Sequence, residues 1–259
     1  DVYKRQLQEC LVLMKSFILA FLATLTLVTA ITPHRALAED SDSQCVILLH
    51  GLFRSALAMK PLQWHLNGEG YTTVNQSYPS LLYPIEELAD MAVTAGLQAC
   101  HSKGAHRIHF VTHSLGGILV RQYDTRQPIT GLERVVMLGP PNQGSQVADY
   151  YSSLAWLEGV EPAALAQLGT GDASVPQRLG PVSFDLGVIA GSVREQTVLP
   201  GFPDELSDGT VSVAEATVPG MLDFLQMPVS HTFMIWNPAV MRQVVHFLRY
   251  GVFHRDSSG

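Results

Sequence analysis

Lysine is scarce in this 259-residue chain: beyond residue 38 only Lys60 and Lys103 occur. Charged residues make up just 15%, and the formal charge is −7. Residues 1–38 carry Lys4, Arg5, Lys15 and Arg35 against Asp1 and Glu9, so without that net +2 the charge becomes −9. An acidic surface repels phosphate backbones, which argues against a nucleic-acid partner. Gly-Lys-Ser/Thr and Gly-x-Gly-x-x-Gly are both missing, so no phosphate-cradling loop is expected. His101, His106 and His109 lie close together, but neither a helical His-x-x-x-His nor a Cys pair supports them. They read as a solvated loop and a strand entry, and neither a metal nor a cofactor is expected. There is no 20–50-residue repeat and no low-complexity tract. Apolar residues, at 47%, are plentiful enough to fill a large core and to exclude a disordered chain.

The N-terminus reads as an address label. Met14-Lys15-Ser16 is followed by an apolar run from Phe17 to Ile31 and then by Ala36-Leu37-Ala38. One cation, a short apolar stretch and a small-residue site make residues 14–38 a signal peptide with cleavage expected after Ala38. A membrane anchor is the rival, though the run is short for a ~20-residue span. Residues 1–13 precede a natural start and resemble a non-native leader. Export to the periplasm or the medium follows. Cys45 and Cys100 then have two readings, a disulfide outside the cytoplasm or two buried thiols.

Residues 39–259 are expected to form a single α/β domain. Cys45–Leu49 is a continuous apolar run that stops at His50-Gly51, as a strand buried on both faces should. Further strands are expected at Tyr71–Asn75, Arg107–Val111, Arg134–Leu138, Phe184–Ala190 and Phe224–Pro228. A helix started by Pro84 would align Ile85, Leu88, Ala92, Ala95 and Ala99, and Leu115–Asp124 has helical character. Asn237 caps a last helix, with Pro238 at its first position and Val240, Val244 and Leu248 facing inward. Alternation of this kind gives a parallel sheet covered on both faces. Residues 150–182, with Leu154, Trp156, Leu157, Leu165 and Leu168, fit no sheet element. They read as a cap or lid insertion, the alternative being an ordinary crossover helix.

The strongest local signal is Phe110-Val111-Thr112-His113-Ser114-Leu115-Gly116-Gly117, between an expected strand and an expected helix. This is the context of a nucleophile elbow, in which a sharp turn lifts a serine hydroxyl above the sheet. Thr112 stands where the first small residue of that pattern usually is, and a plain helix N-cap is the bland alternative. Serine needs a base, and elbow enzymes supply acid then histidine later in the chain. His246 lies inside the last helix and His254 in the tail, which leaves His231. Asp208, in Ser207-Asp208-Gly209-Thr210-Val211, leads as the acid over Asp204, Asp185 and Asp223. Backbone N–H groups of Leu52, after His50-Gly51, and of Leu115 are the expected oxyanion donors.

With these segments the chain resembles the α/β-hydrolases, and in particular bacterial lipase/esterase-like hydrolases related to GPI-inositol deacylases. Leu138-Gly139-Pro140-Pro141-Asn142-Gln143-Gly144-Ser145 is similar to that group's Gly-Thr-Pro-Asn-His-Gly-Ser segment, with Pro140 and Gln143 as departures in a stretch expected to line the cleft. Val188-Ile189-Ala190-Gly191, Asp208-Gly209-Thr210-Val211-Ser212-Val213 and Ser230-His231-Thr232 add to the likeness. The resemblance implies hydrolysis of carboxylic esters, small or lipidic, with Ser114, Asp208 and His231 as triad and transient contact with a lipid surface. A thioesterase or acyltransferase using the same residues is the alternative. A non-catalytic binding module on this scaffold is the rival of another class.

Overall fold

The computed structural model describes residues 43–158, 162–193 and 206–255. The expected leader, the signal peptide and Asp204 lie outside them. Cys45–Leu49 is buried throughout because its side chains alternate between two apolar layers. Cys45, Ile47 and Leu49 join one cluster, while Val46 and Leu48 join the other. This strand, β1 (Gln44–Leu49), is therefore a central one.

Helix α1 (Lys60–Gly68) follows, with Pro61 in its first turn and Leu62 and Leu66 buried. The sequence reading assigned no element there, since only two apolar positions mark the inner face. Then come β2 (Thr72–Gln76), α2 (Ile85–Ser102), β3 (Arg107–His113), α3 (Leu115–Arg126) and β4 (Leu132–Leu138). In α2 the buried stripe is Ile85, Leu88, Ala89, Ala92, Val93, Gly96 and Cys100. It is rotated slightly from the expected one, leaving Ala95 and Ala99 half-buried. Between β4 and β5 (Leu186–Gly191) the described residues hold three helices, α4 (Gln146–Glu158), α5 (Ala163–Ala166) and α6 (Val175–Leu179). The side chain of Trp156 lies outside the described ones. A short α7 (Val213–Ala216), β6 (Asp223–Met227) and α8 (Pro238–Tyr250) complete the order. Asn237 caps α8 as expected, its side-chain oxygen accepting from the N–H groups of Ala239 (2.8 Å) and Val240 (3.3 Å).

Among the described residues the sheet has six strands in the order β2-β1-β3-β4-β5-β6. Every pairing is parallel. Leu62 and Leu66 of α1 and Val240, Val244 and Leu248 of α8 share the cluster of Val46 and Leu48; α2 and α3 pack on the other face. Chain direction across the sheet switches between β1 and β3, and in open parallel sheets that crevice is where ligands bind. At the opposite end Cys45 and Cys100 form a disulfide, their Cα atoms 5.8 Å apart. Among the described residues no helix is long and apolar enough to cross a membrane.

Candidate active site

Ser114 stands between the end of β3 and the start of α3 with φ 53° and ψ −123°. A non-glycine residue in this region costs of order 1–3 kcal/mol, and such strain persists only where its surroundings over-determine it. Here they do. Ser114 N–H donates to the Leu138 carbonyl at 2.9 Å, and its own carbonyl accepts from Gly117 N–H at 3.0 Å. The first turn of α3 presses against the end of β1: a Cβ on Gly116 would lie 2.7 Å from the Leu49 carbonyl oxygen. Thr112 does not disturb the turn, because its side chain is buried below, next to Gly117.

Asp208 and His231 come from the loops after β5 and β6. The His231 N–H donates to the Asp208 carbonyl at 2.9 Å, so the backbone itself sets the pair side by side. His231 Nδ1 lies 2.7 Å from Asp208 Oδ2. The other carboxylate oxygen accepts from the N–H groups of Thr210 (2.9 Å) and Val211 (2.7 Å). A carboxylate only accepts, so the Nδ1 proton is assigned to that contact and Nε2 keeps a lone pair. Asp208 is 1% exposed, which leaves water little access to compete. Gly139, with φ 53°, lies directly beneath; a Cβ there would fall 2.8 Å from Asp208 Oδ2 and 3.0 Å from His231 Nδ1. Of the rival acids, Asp223 begins β6 and is bound to Arg255 at 2.6 Å.

Leu52 follows β1, and Leu115 opens α3 directly after Ser114. Leu115 is the first residue of α3, so its N–H has no intrahelical carbonyl to reach. Leu52 is the second residue of a turn closed by Arg54 N–H to the Gly51 carbonyl (3.3 Å), in which Phe53 takes φ 56°. The turn is braced from behind. Buried His50 stacks on Tyr78 at 4.0 Å, and the Tyr78 hydroxyl donates to the His50 carbonyl. Burial lowers the pKa of His50 and raises that of Tyr78, so both stay neutral.

Leu52, Ser114 and His231 line one cavity of about 430 Å³. Val147, Ala148 and Tyr151 of α4, with Leu165 and Leu168, supply its apolar wall. The segment after β4 reaches it through Pro141 and Ser145. Gln143, expected to line the cleft, instead donates to the Thr217 carbonyl at 3.0 Å and accepts from Gln177 through its own carbonyl.

Several solved structures are similar in shape to this chain. Lipase BlEst2 of Bacillus licheniformis in its mature form has a TM-score of 0.61 at 22% identity, covering 78% of this chain and 91% of that one. A thermophilic esterase from Thermogutta terrifontis reaches 0.56 at 16% identity, covering 80% and 90%. Phospholipase PlaB from Legionella pneumophila reaches 0.55 at 20% identity over 67% of this chain, which spans only 45% of that one. No protein-family model and no curated protein sequence matches the chain. The chain has the α/β-hydrolase fold.

The narrower relation to GPI-inositol deacylases rests on the sequence motifs alone. Two side chains of the candidate site were not singled out from sequence. His113 is fully buried, its Nε2 donating to the His231 carbonyl at 2.9 Å, with Nδ1 left without a partner. Burial, and then the proximity of His231, hold its pKa well below 6.5, so it is a neutral strut under the histidine loop. The second, Arg54, is exposed on the cavity rim, with one guanidinium nitrogen 3.1 Å from the Thr232 hydroxyl. A signal for His113 existed in its place beside Ser114; Arg54 had none, because only the turn brings it to the rim. Among the described residues no three His, Cys, Asp or Glu side chains gather to hold a metal.

Proposed function

We propose that this α/β-hydrolase cleaves carboxylic esters by a serine mechanism, in an exported form released by cleavage after Ala38. The reading rests above all on one observation: the imidazole of His231, its Nδ1 committed to buried Asp208, shares a cavity with a serine held at φ 53°. In this mechanism His231 Nε2 takes the Ser114 proton as Oγ attacks the acyl carbon. The oxyanion that forms accepts from the N–H groups of Leu52 and Leu115, fixed donors that need no reorganisation as charge develops. The leaving alkoxide takes the proton from His231, which leaves an acyl ester on Ser114. A water molecule, deprotonated by the same nitrogen, then releases the acid and regenerates the hydroxyl. The insertion expected at residues 150–182 acts as the cover over the acyl group, in keeping with Tyr151, Leu165 and Leu168 in the wall.

The test is Ser114→Ala assayed on p-nitrophenyl esters of graded acyl length. A fall in kcat of roughly 10⁴- to 10⁶-fold with an unchanged circular dichroism spectrum is expected, together with loss of fluorophosphonate labelling. Normal turnover by the mutant would remove the proposal.

A further inference from the structure

The cavity is chemically two-sided. One wall is apolar, from Val147, Ala148, Tyr151, Leu165 and Leu168, and among the described residues no Asp or Glu lines it. The rim beside His231 carries a cation, Arg54, anchored to the hydroxyl of the very next residue, Thr232. Arg121 and Arg134 are held by backbone carbonyls. Arg107, Arg126, Arg178, Arg249 and Arg255 each bind a carboxylate. Among the described residues Arg54 has no such partner; its bond to Thr232 leaves most of its five donors open to the cavity mouth.

Position turns this into a statement about the substrate. The nitrogen that protonates the leaving alcohol is on His231, so groups flanking His231 on the Thr232 side face the alcohol half of an ester. The acyl half then has the apolar wall. We infer, on the ester-hydrolase reading above, that the site selects esters whose alcohol portion bears an anion, with the acyl chain on the α4–α5 wall and the anion on Arg54. A planar guanidinium binds phosphate and carboxylate oxygens alike in bidentate fashion, so the shared chemistry is a tetrahedral or planar oxyanion carried by the alcohol portion. In a chain of net charge −7 a local cation is needed to offset the general repulsion of such a substrate.

The experiment compares three esters of one acyl chain, a monoacylglycerol, a monoacylglycerol phosphate and an acylated hydroxycarboxylic acid, with wild type, Arg54→Gln and Arg54→Lys. The quantity read is the ratio of kcat/KM on each anionic ester to that on the neutral one, which cancels any loss of folded protein. Wild type should prefer at least one anionic ester, and Arg54→Gln should lower that ratio about 10-fold, mainly through KM, as expected for an exposed charge-assisted contact. Arg54→Lys should restore part of it, and added salt should weaken the wild-type preference. Which anionic ester responds tells phosphate from carboxylate. A ratio unchanged by Arg54→Gln overturns the inference while leaving the hydrolase reading intact, provided p-nitrophenyl esters are still turned over and Ser114 still takes a fluorophosphonate. Absence of both in the wild type overturns the two together.

Discussion

At the scale of single residues, the arrangement turns on which nitrogen of His231 holds its proton. Asp208 Oδ1 is occupied by two backbone N–H groups, so Oδ2 has one task, to accept from Nδ1 at 2.7 Å. Asp208→Asn keeps the size and removes the charge, and the new amide can present N–H to the ring. That favours the tautomer with the proton on Nε2, where it cannot act as a base. A fall in kcat of about 10⁴-fold is expected with thermal stability nearly retained, and with partial recovery as pH rises and hydroxide replaces the base. A loss of less than 10-fold would mean that another group orients the ring. His113 completes the local logic. By donating to the His231 carbonyl it ties the loop to the residue beside Ser114, which couples the positions of two side chains 117 residues apart in sequence.

At the scale of elements, the site is made by strand ends and the turns that follow them. β1, β3, β5 and β6 deliver Leu52, Ser114, Asp208 and His231 at their carboxyl ends, and close approach there demands glycine at 116 and 139. The disulfide works at the other end, binding the start of β1 to the end of α2 across a separation of 55 residues. A loop of that length lowers the entropy of the unfolded chain enough to stabilise the fold by about 4 kcal/mol in the chain-entropy account. Replacing both Cys45 and Cys100 by Ala should lower the denaturation midpoint accordingly, while kcat measured well below that midpoint stays within about twofold, since neither residue approaches the cavity. A large change in kcat at full folding would show that the bridge shapes the site.

At the scale of the whole molecule, burial of histidine makes the fold sensitive to acid. His109, fully buried against Gln44 and Tyr71, has its pKa lowered to about 4, chiefly by desolvation. His113 and His50 are lowered for the same reason. The unfolded chain takes up protons on these rings below about pH 6.5 while the folded chain does not, so their contribution is complete above that pH and lost as pH falls. For His109 alone the loss is about 3 kcal/mol by pH 4. Urea midpoints should therefore drop steeply between pH 7 and 4.5, and His109→Gln should flatten the drop; identical slopes in the two proteins would refute this source of acid lability.

Much of the plan was legible in the amino-acid order. Apolar runs stopping at glycine mark β1 and the elbow, and Asn237-Pro238 marks the start of α8, because strand burial and helix capping act over a few residues. The parallel sheet follows from the same local signals. Helix α1 escaped notice since its inner face shows just two leucines, and α5 and α6 did so because helices of 4 and 5 residues among Gly and Pro carry no clear period. Pairing was decided in three dimensions. That Asp208 meets His231, that Cys45 meets Cys100, and that Arg54 joins an apolar wall at one mouth depends on strand order and on how the turns fold over the sheet. Residues far apart in sequence have no local preference for one another; the packed sheet and its two covering layers bring them into contact.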